Sequence, residues 1–381
     1  MSADAEKYYK RAANRIIGVT KIPFPLNDTL MELVQLLVTA DEAAFLSIFK
    51  KPSLNIDQIK DKRKKMSEDE IRQMLDTLME KGVIIGSTSS KGVEVFTLMP
   101  IFPGLFEFQL MRGESGEKQK KFVDLFEKLL DQLSKSTQQN YDAIVDQIRR
   151  IDAKPARVVP IEEKVEIPVE KNIEIGESTE PKDIVLMPQQ VSRIIDGEEL
   201  IAVTHCYCRH EKDLMGDPCK KTDERENCLV FGKVAKHSIA HGFAREITKE
   251  QAKLILKESE ESGLVHKVFH TSMNLSKNIE GLCSCCDCCC GIFQLYYRGA
   301  MPLNTHTFYL SRVDEDECIG CESCIDTCPM QAIEMDDEIA RIIEEKCIGC
   351  GVCVHACPQE AINLERVGPR SVFVPPVKIK E

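Results

Sequence analysis

The distribution of cysteine is the feature that most constrains this chain. All 18 cysteines lie between Cys206 and Cys357, and the first 205 residues contain none. The two parts of the chain must therefore be stabilised in different ways. In a long chain kept in a reducing compartment, dense cysteine indicates metal ligation rather than a disulfide framework. The sequence thus predicts a cysteine-free N-terminal part followed by a metal-binding part.

Length, charge and hydropathy narrow the class of protein further. A chain of 381 residues with 43% hydrophobic and 29% charged residues has room for two or three globular domains. Because it has no long apolar run and no basic-then-apolar leader, we expect no membrane span, no secretory signal and a cytoplasmic location. A formal net charge of −12 argues against a broad nucleic-acid surface and favours basic partners.

Residues 28–100 predict a series of helices followed by a hairpin, in the order of a winged helix. Asp28 and Asp41 are candidate caps for two helices, and the short helix IDQIKDK follows them. Ser67, with Glu70 at the capping-box position, begins a longer helix that ends near Gly82. The segments VIIGS and VEVFTL flank a Ser/Lys/Gly turn and predict the two strands of the wing.

The elements after this region are predicted from periodicity and from capping signals. Residues 114–150 indicate one or two amphipathic helices, and VVPIEEKVEIPVEKNIEI indicates an extended connector or edge strand. Thr248 and Gln251 form a capping box ahead of a helix that stops near Gly263. The tail SVFVPPVKIKE is expected to lie extended over the surface, since its two prolines forbid a helix.

The strongest repeat is a tandem cysteine motif, C-x2-C-x2-C-x3-C-P, in which each cysteine recurs 29 residues later. This spacing is typical of two 4Fe-4S cubes that exchange their fourth ligand between the motifs. Zinc sites do not need a fourth cysteine followed by proline. We therefore predict one cluster on Cys318, Cys321, Cys324 and Cys357, and a second on Cys347, Cys350, Cys353 and Cys328.

Ten further cysteines form two sets in the middle of the chain. Adjacent cysteines are expected to point in different directions, so these residues cannot all bind one cube. We favour one or two further iron–sulfur clusters held jointly by both sets. The alternatives are a zinc ion on the first set, with His205 or His210, and free or redox-active thiols. The first set is Cys206, Cys208, Cys219 and Cys228, and the second is Cys283, Cys285, Cys286, Cys288, Cys289 and Cys290. Cys219 and Cys228 are expected to lie on a loop around Gly216 and Pro218.

The other sequence signals are weaker. His237 and His241 lie four residues apart and could meet on one helix face, but a packed pair is a better interpretation than a ligand pair. His266, His270 and His355 are interpreted as packing or hydrogen-bonding residues. The chain has no phosphate-binding loop and no dinucleotide fingerprint. A chain with one-electron centres but no flavin or nicotinamide motif is expected to pass electrons between partners.

Residues 313–366 look like a 2x4Fe-4S ferredoxin domain of the bacterial type. The order of CYCRH, GDPC, ENCLVFG, CSCCDCCC and the ferredoxin repeat resembles a family of multi-cluster ferredoxin-like proteins of anaerobic bacteria and archaea. This resemblance covers most of the chain. It implies cluster binding and anaerobic redox metabolism, and it carries no established reaction.

Together these patterns predict an α+β multidomain fold. The predicted parts are a winged-helix-like domain at 1–112, a helical segment and extended connector at 113–187, a cysteine-rich α/β cluster-binding domain at 188–310, the two-cluster ferredoxin domain at 311–366 and an extended tail at 367–381.

Three functions are compatible with this organisation. The favoured one is an electron-transfer subunit of an oxidoreductase complex that carries low-potential electrons between redox partner proteins, since acidic residues dominate 317–366. A redox-sensing winged-helix regulator is the second, although the helix EDEIRQMLDTLMEK is too acidic to face DNA. The third is a reductase whose adjacent cysteines hold a catalytic non-cubane cluster. A homodimer or larger complex is left open.

Overall fold

The computed structural model describes residues 3–19, 22, 24–89, 91–150, 156–162, 190–270, 275 and 278–379. The chain forms two compact units. The first comprises 1–136, 204–218 and 236–245, and the second comprises 137–203, 219–235 and 246–381. The mixed α/β character predicted from the sequence is present. The predicted five-part domain division remains a prediction.

The N-terminal part of the first unit contains helices and a small antiparallel sheet. This sheet has three strands, and the third of them in sequence lies at its centre. Within residues 28–100 the helices and hairpin strands follow the predicted order, with one additional short strand, and α1 precedes them as a helix that the sequence analysis did not predict. The elements are α1 Ala3–Val19, α2 Asp28–Leu37, α3 Ala40–Leu46, β1 Ser53–Asn55, α4 Ile56–Lys62, α5 Glu68–Glu80, β2 Ile84–Thr88 and β3 Glu94–Leu98.

Two of the predicted helix caps are wrong by one or two residues. Asn27, not Asp28, caps α2, and its side chain accepts a hydrogen bond from the Leu30 amide at 3.0 Å. Thr39, not Asp41, caps α3. In both cases the predicted aspartate lies in the first helical turn, where its charge still favours the helix dipole. Ser67 caps α5 through the predicted capping box.

Helices continue through the segment that follows. The predicted amphipathic region forms two helices rather than one. They are α7 Glu117–Gln139 and α8 Tyr141–Arg150, preceded by the short helix α6 Phe106–Leu110.

An eight-stranded sheet forms the framework of the second unit, in the order β13-β10-β4-β8-β9-β6-β5-β7. Its strands are β4 Ala156–Val159, β5 Ile201–Thr204, β6 Cys228–Phe231, β7 Arg245–Glu246, β8 Val265–His270, β9 Ile279–Cys285, β10 Leu303–Val313 and β13 Ile362–Val374. A separate hairpin pairs β11 Ile333–Asp336 with β12 Ile339–Ile342. The remaining helices are α9 Val191–Gly197, α10 Tyr207–Leu214, α11 Gly232–Ala240, α12 Lys249–Glu261, α13 Gly291–Tyr297, α14 Ser323–Thr327 and α15 Val352–Ala356.

Three sequence predictions for this sheet need correction. β4 lies between β8 and β10, so it is an interior strand rather than an edge strand. The rest of the predicted connector, 163–187, lies outside the described residues. The tail segment SVFV belongs to β13, which pairs with β10 along its length. Cys228 begins β6 rather than lying in a loop.

The sheet separates an apolar core from a face that carries thiols. Leu229, Val268 and Leu282 are cross-strand neighbours on β6, β8 and β9, and all three are buried. They pack in one cluster with residues of α9 and α12. Since side chains alternate along a strand, the residues between them point to the opposite face. On β9 those residues include Cys283 and Cys285.

Within the described ranges, the helices lack the combination of length and apolar character that a bilayer crossing needs.

Candidate functional site

The first candidate site is a cavity in the region of the tandem motif. It has a volume of about 340 Å³, including the part open to solvent. Ile319, Gly320, Glu322 and Met335 contribute to its wall. The thiol-bearing residues that line it are Cys318, Cys321, Cys324 and Cys357. Three of them come from the first motif and the fourth from the end of the second, which is the combination predicted for cluster one.

The second cavity is the counterpart of the first and has a volume of about 330 Å³. Ser311, Met330 and Ile348 contribute to its wall. Its thiols are those of Cys328, Cys347, Cys350 and Cys353, the combination predicted for cluster two. The two cavities thus bring together the two predicted sets, each with one residue from the other motif.

Left-handed backbone conformations let the chain wrap these cavities. Gly320 and Gly349 have φ values of 68° and 63°. A Cβ at Gly320 would lie 2.5 Å from the Glu338 carbonyl oxygen, and one at Gly349 would lie 2.6 Å from Thr307 Oγ1. Glycine is therefore required at both positions for space as well as for conformation.

Burial distinguishes the two cavities. Cys321 is exposed and Ile319 is 63% exposed, so the first cavity opens at the surface. Cys347, Cys350 and Cys353 are all buried. Burial raises the pKa of Cys350, and it raises the pKa of Cys353 to about 12. Such thiols ionise only with a cation beside them, which fits ligation by iron.

Polar groups that sequence reasoning missed support the second cavity. Ser311 Oγ lies 3.2 Å from the sulfur of Cys353. Arg370 donates a hydrogen bond of 2.9 Å to the Cys347 carbonyl oxygen. Hydrogen bonds to ligand sulfurs and to their backbone tune iron–sulfur sites. Both groups lie on β10 or β13, and only the pairing of these strands brings them to the motif.

Four of the middle cysteines gather on the thiol face of the sheet and beside it. Cys228 is the cross-strand partner of Cys283, so their side chains share a face. Cys285 lies two residues further along the same strand and shares that face. Hydrogen bonds with Cys283 and Cys290, together with burial, raise the pKa of Cys285 well above its usual value.

A buried lysine accompanies this group. Lys267 is the cross-strand partner of Cys283 and is 2% exposed. Its Nζ lies 3.4 Å from the ring centroid of Phe293 on α13 and has no hydrogen-bond partner among the described residues. A buried ammonium is costly without a neighbouring anion. Its position beside three thiols therefore suits an anionic metal cluster there.

A different group of middle cysteines is much more compact. The sulfur atoms of Cys219, Cys286, Cys288 and Cys289 all lie within 4.8 Å of one another. Cys219 is 3.7 Å from Cys286 and 3.8 Å from Cys288, and Cys288 is 3.5 Å from Cys289. We call this group the compact tetrad. It combines one residue of the first predicted set with three of the second.

Hydrogen bonds among the four thiols of the compact tetrad shift their pKa values in opposite directions. Hydrogen bonds with Cys286 and Cys288 lower the pKa of Cys219, while those with Cys219 and Cys286 raise the pKa of Cys289. The pKa of Cys288 is lowered to about 7 in the same network, although its hydrogen bond with Cys219 acts in the opposite direction. Four thiols this close cannot all ionise unless a cation is present.

Cys206 and Cys208 belong to the first unit. Cys206 is the N-cap residue of α10, Cys208 lies in its first turn, and both are buried. His210 of the same helix uses Nε2 to contact the Glu114 carbonyl oxygen at 2.7 Å. The ring of His205 packs against that of His210, with 4.8 Å between centroids.

The other histidines have ordinary structural partners. The rings of His237 and His241 meet at 4.5 Å, and His237 also packs against Phe108. His266 lies within β8, and it contacts Glu260 and Ser284 at 3.1 and 3.2 Å.

Helix α13 joins the middle cysteines to the tandem motif. Cys290 is its N-cap residue. At the other end, the Tyr297 hydroxyl donates a hydrogen bond to the carbonyl oxygen of Pro329, the residue after Cys328. A helix of seven residues is about 10 Å long. Phe293, Leu295 and Tyr296 of this helix are buried.

Comparison with known proteins identifies one region. Residues 311–364 match the family model of the 4Fe-4S dicluster domain. No curated protein and no solved structure gives a significant match to the chain.

Proposed function

We propose that this protein transfers electrons through iron–sulfur clusters and connects partner redox proteins. The observation that carries the proposal is the pair of four-thiol cavities inside the region that matches the 4Fe-4S dicluster domain. When bound, 4Fe-4S clusters supply one-electron redox chemistry whose potential depends on charge, burial and hydrogen bonds. The chain supplies thiols, a dry surrounding and hydrogen-bond donors.

The first cavity is the proposed point of exchange with a partner. Exposed Ile319 and Cys321 put this end of the domain at the surface. The exposed carboxylates nearby in sequence are those of Glu317, Glu322, Asp326, Asp337 and Glu338. An apolar contact surrounded by negative charge favours a basic partner, because complementary charge steers association.

The second cavity is the proposed internal end of the route. Three of its four thiols, those of Cys347, Cys350 and Cys353, are buried. Helix α13 connects the edge of this cavity at Pro329 to Cys290. We propose that Cys228, Cys283, Cys285 and Cys290 hold a third iron–sulfur cluster beside Lys267. Cys206 and Cys208 remain proposed ligands of the middle region. The protein would then contain more iron than the roughly eight atoms of two cubes.

We propose that the N-terminal domain is a winged-helix-like module that docks a protein rather than DNA. The first turn of α5 carries Glu68, Asp69 and Glu70. Arg72 of this helix contacts Glu68 at 3.0 Å and Glu94 of β3 at 3.1 Å. The helix that would enter a DNA groove is therefore acidic, and its arginine is already engaged in ion pairs.

Ligand exchange between the motifs tests the core of the proposal. Cys357→Ser should damage the cluster whose other ligands are Cys318, Cys321 and Cys324, and Cys328→Ser should damage the other one. Each variant should lose up to about four irons, measured with sulfide and by electron paramagnetic resonance of the reduced protein. As a control for general damage, Glu334→Gln changes an exposed side chain of β11 that lines neither cavity. The assignment would be contradicted if each substitution instead damaged the cluster bound by the other three cysteines of its own motif.

The proposed docking surface at the first cavity can be tested with artificial electron acceptors. The chemically reduced protein should reduce a basic one-electron acceptor faster than an acidic one, and salt should slow only the first reaction. Ile319→Lys should slow it, because the added positive charge repels the basic acceptor. Equal rates for both acceptors at low salt would contradict the proposed docking surface.

A further inference from the structure

The sulfur positions in the compact tetrad match a single metal ion rather than a cluster. A tetrahedral zinc ion with Zn–S bonds of about 2.3 Å places its sulfurs about 3.8 Å apart. The sulfur–sulfur distances of 3.5, 3.7 and 3.8 Å in the compact tetrad lie at or just below this value. A cube instead places each thiolate on a different iron, so its ligand sulfurs lie much further apart.

The ferredoxin cavities provide an internal comparison. Their two sets of four cysteines have the sequence spacing of the tandem motif, and each set lines a cavity. Yet the compact tetrad is the one group among the described residues whose ligand atoms approach within 4.8 Å of one another. The fold therefore distinguishes two kinds of cysteine site.

Local backbone structure explains how adjacent cysteines converge. Cys288 and Cys289 lie in a turn that follows β9, where consecutive side chains no longer alternate between two faces. Cys219 approaches from a segment 67 residues earlier than Cys286. The backbone amides of Lys221 and Lys220 donate hydrogen bonds to the sulfurs of Cys219 and Cys288. Such bonds stabilise thiolates.

The surroundings favour a structural ion. Cys286 and Cys289 are 3% and 1% exposed, and they pack with fully buried Leu264. Four protein ligands leave no open position for a substrate, as in structural zinc sites. Soft thiolates and tetrahedral geometry favour zinc, and zinc binds such sites more tightly than ferrous iron.

We propose that Cys219, Cys286, Cys288 and Cys289 bind one zinc ion that fastens the loop at Cys219 to the turn after β9. This assignment differs from the two metal-binding hypotheses drawn from the sequence. One of them placed zinc on the first cysteine set, and the other placed iron–sulfur clusters across both sets. It does not depend on the electron-transfer role, since the ion is redox-inert.

The test uses the full chain purified anaerobically without added metal. Zinc and iron are counted per chain, and X-ray absorption at the zinc edge reports the ligands. We expect one zinc with four sulfur neighbours at about 2.3 Å and no iron neighbour. Iron in place of zinc, whether a single ion or a cluster, would overturn the proposal.

Matched variants locate the ion. Cys219→Ser should lose the zinc and keep the iron, while Cys321→Ser at the first ferredoxin cavity should keep the zinc and lose iron. Cys219→His should retain the zinc with three sulfurs and one nitrogen, because imidazole is also a zinc ligand. If Cys219→Ser does not fold, the histidine variant and the wild-type absorption spectrum still decide the question. Loss of about four irons from Cys219→Ser with zinc retained would contradict the site.

Discussion

At the scale of single residues, the candidate sites depend on positions where few side chains fit. Gly349 combines a positive φ with close approach to β10. Lys267 is buried opposite Cys283, and its ammonium group needs an anion nearby. Neither property is visible from residue type alone, because each depends on which strand lies opposite.

Gly349→Ala should disrupt the second ferredoxin site. Its Cβ would lie 2.6 Å from Thr307 Oγ1, and a left-handed alanine costs about 1 kcal/mol in addition. We expect the purified variant to lose up to about four irons per chain. Gly368→Ala is the matched control, since Gly368 also has a positive φ of 89° but has no atom within 4 Å of its Cβ position. Equal iron contents in the two variants would show that the close approach is unimportant.

His237 should make stability depend on pH. Burial lowers its pKa from the ordinary 6.5 to about 4. Between pH 6.5 and 4 the His237 side chain is protonated in the unfolded chain but not in the folded chain, so protons favour unfolding. The contribution of neutral His237 to the free energy of unfolding is therefore complete above pH 6.5 and declines as the pH falls towards 4. The slope is at most about 1.4 kcal/mol per pH unit.

Hydrogen-exchange protection of α11, measured at pH 7.5 and 5.5, checks this expectation. The wild type should lose protection at the lower pH, and His237→Phe should lose less, because phenylalanine cannot be protonated. An unchanged pH dependence in the variant would assign the effect to other groups.

At the scale of elements, strand alternation organises the second unit. The face of the sheet with Leu229, Val268 and Leu282 packs on α9 and α12, while the opposite face presents Cys228, Cys283 and Cys285. A shift of one residue in the register of β9 would exchange the two faces. The core and the proposed cluster site therefore stabilise the same register.

The capping box of α5 gives a prediction at this scale. Ser67 accepts a hydrogen bond from the Glu70 amide, and its own amide donates to the Glu70 carboxylate at 2.7 Å. Ser67→Ala should destabilise the helix by about 1 kcal/mol, whereas Ser67→Gly should cost only a few tenths. Amide exchange within Glu68–Glu80 should therefore be about fivefold faster in the alanine variant. Equal exchange in both variants would mean that packing alone maintains this end of the helix.

At the scale of the whole molecule, the two units differ in chemistry. Sixteen of the cysteines lie in the second unit, and the first contains Cys206 and Cys208. A net charge of −12 and an acidic α5 oppose binding to nucleic acid.

We accordingly expect the holoprotein to bind duplex DNA no more tightly than the roughly 10⁻⁴ to 10⁻⁶ M typical of non-specific contacts. Titration of labelled duplexes at several salt concentrations measures this. A double variant, Glu68→Gln with Asp69→Asn, provides a comparison in which repulsion is reduced. Salt-sensitive, sequence-specific binding by the wild type would support the regulator instead.

The sequence by itself determined the features that depend on local spacing. The tandem motif predicted which four thiols line each ferredoxin cavity, because short intervals between ligands limit the arrangements that the backbone can adopt. The capping boxes at Ser67 and Thr248 were likewise readable, since both partners lie within one helical turn. The predicted N-cap residues of α2 and α3 were wrong by one or two positions, because several neighbouring polar side chains could cap each helix.

Only the tertiary structure decided how the middle cysteines are divided. The partner of Cys228 is 55 positions away on β9, and the partners of Cys219 lie still further along the chain. The interior position of β4 likewise depends on strands more than 100 residues later. Contacts of this kind arise from strand register and chain reversal. The spacing of residues close together in the sequence does not predict them. The convergence of Cys288 and Cys289 has the same origin, because it depends on a turn where the pattern of adjacent cysteines suggested divergence.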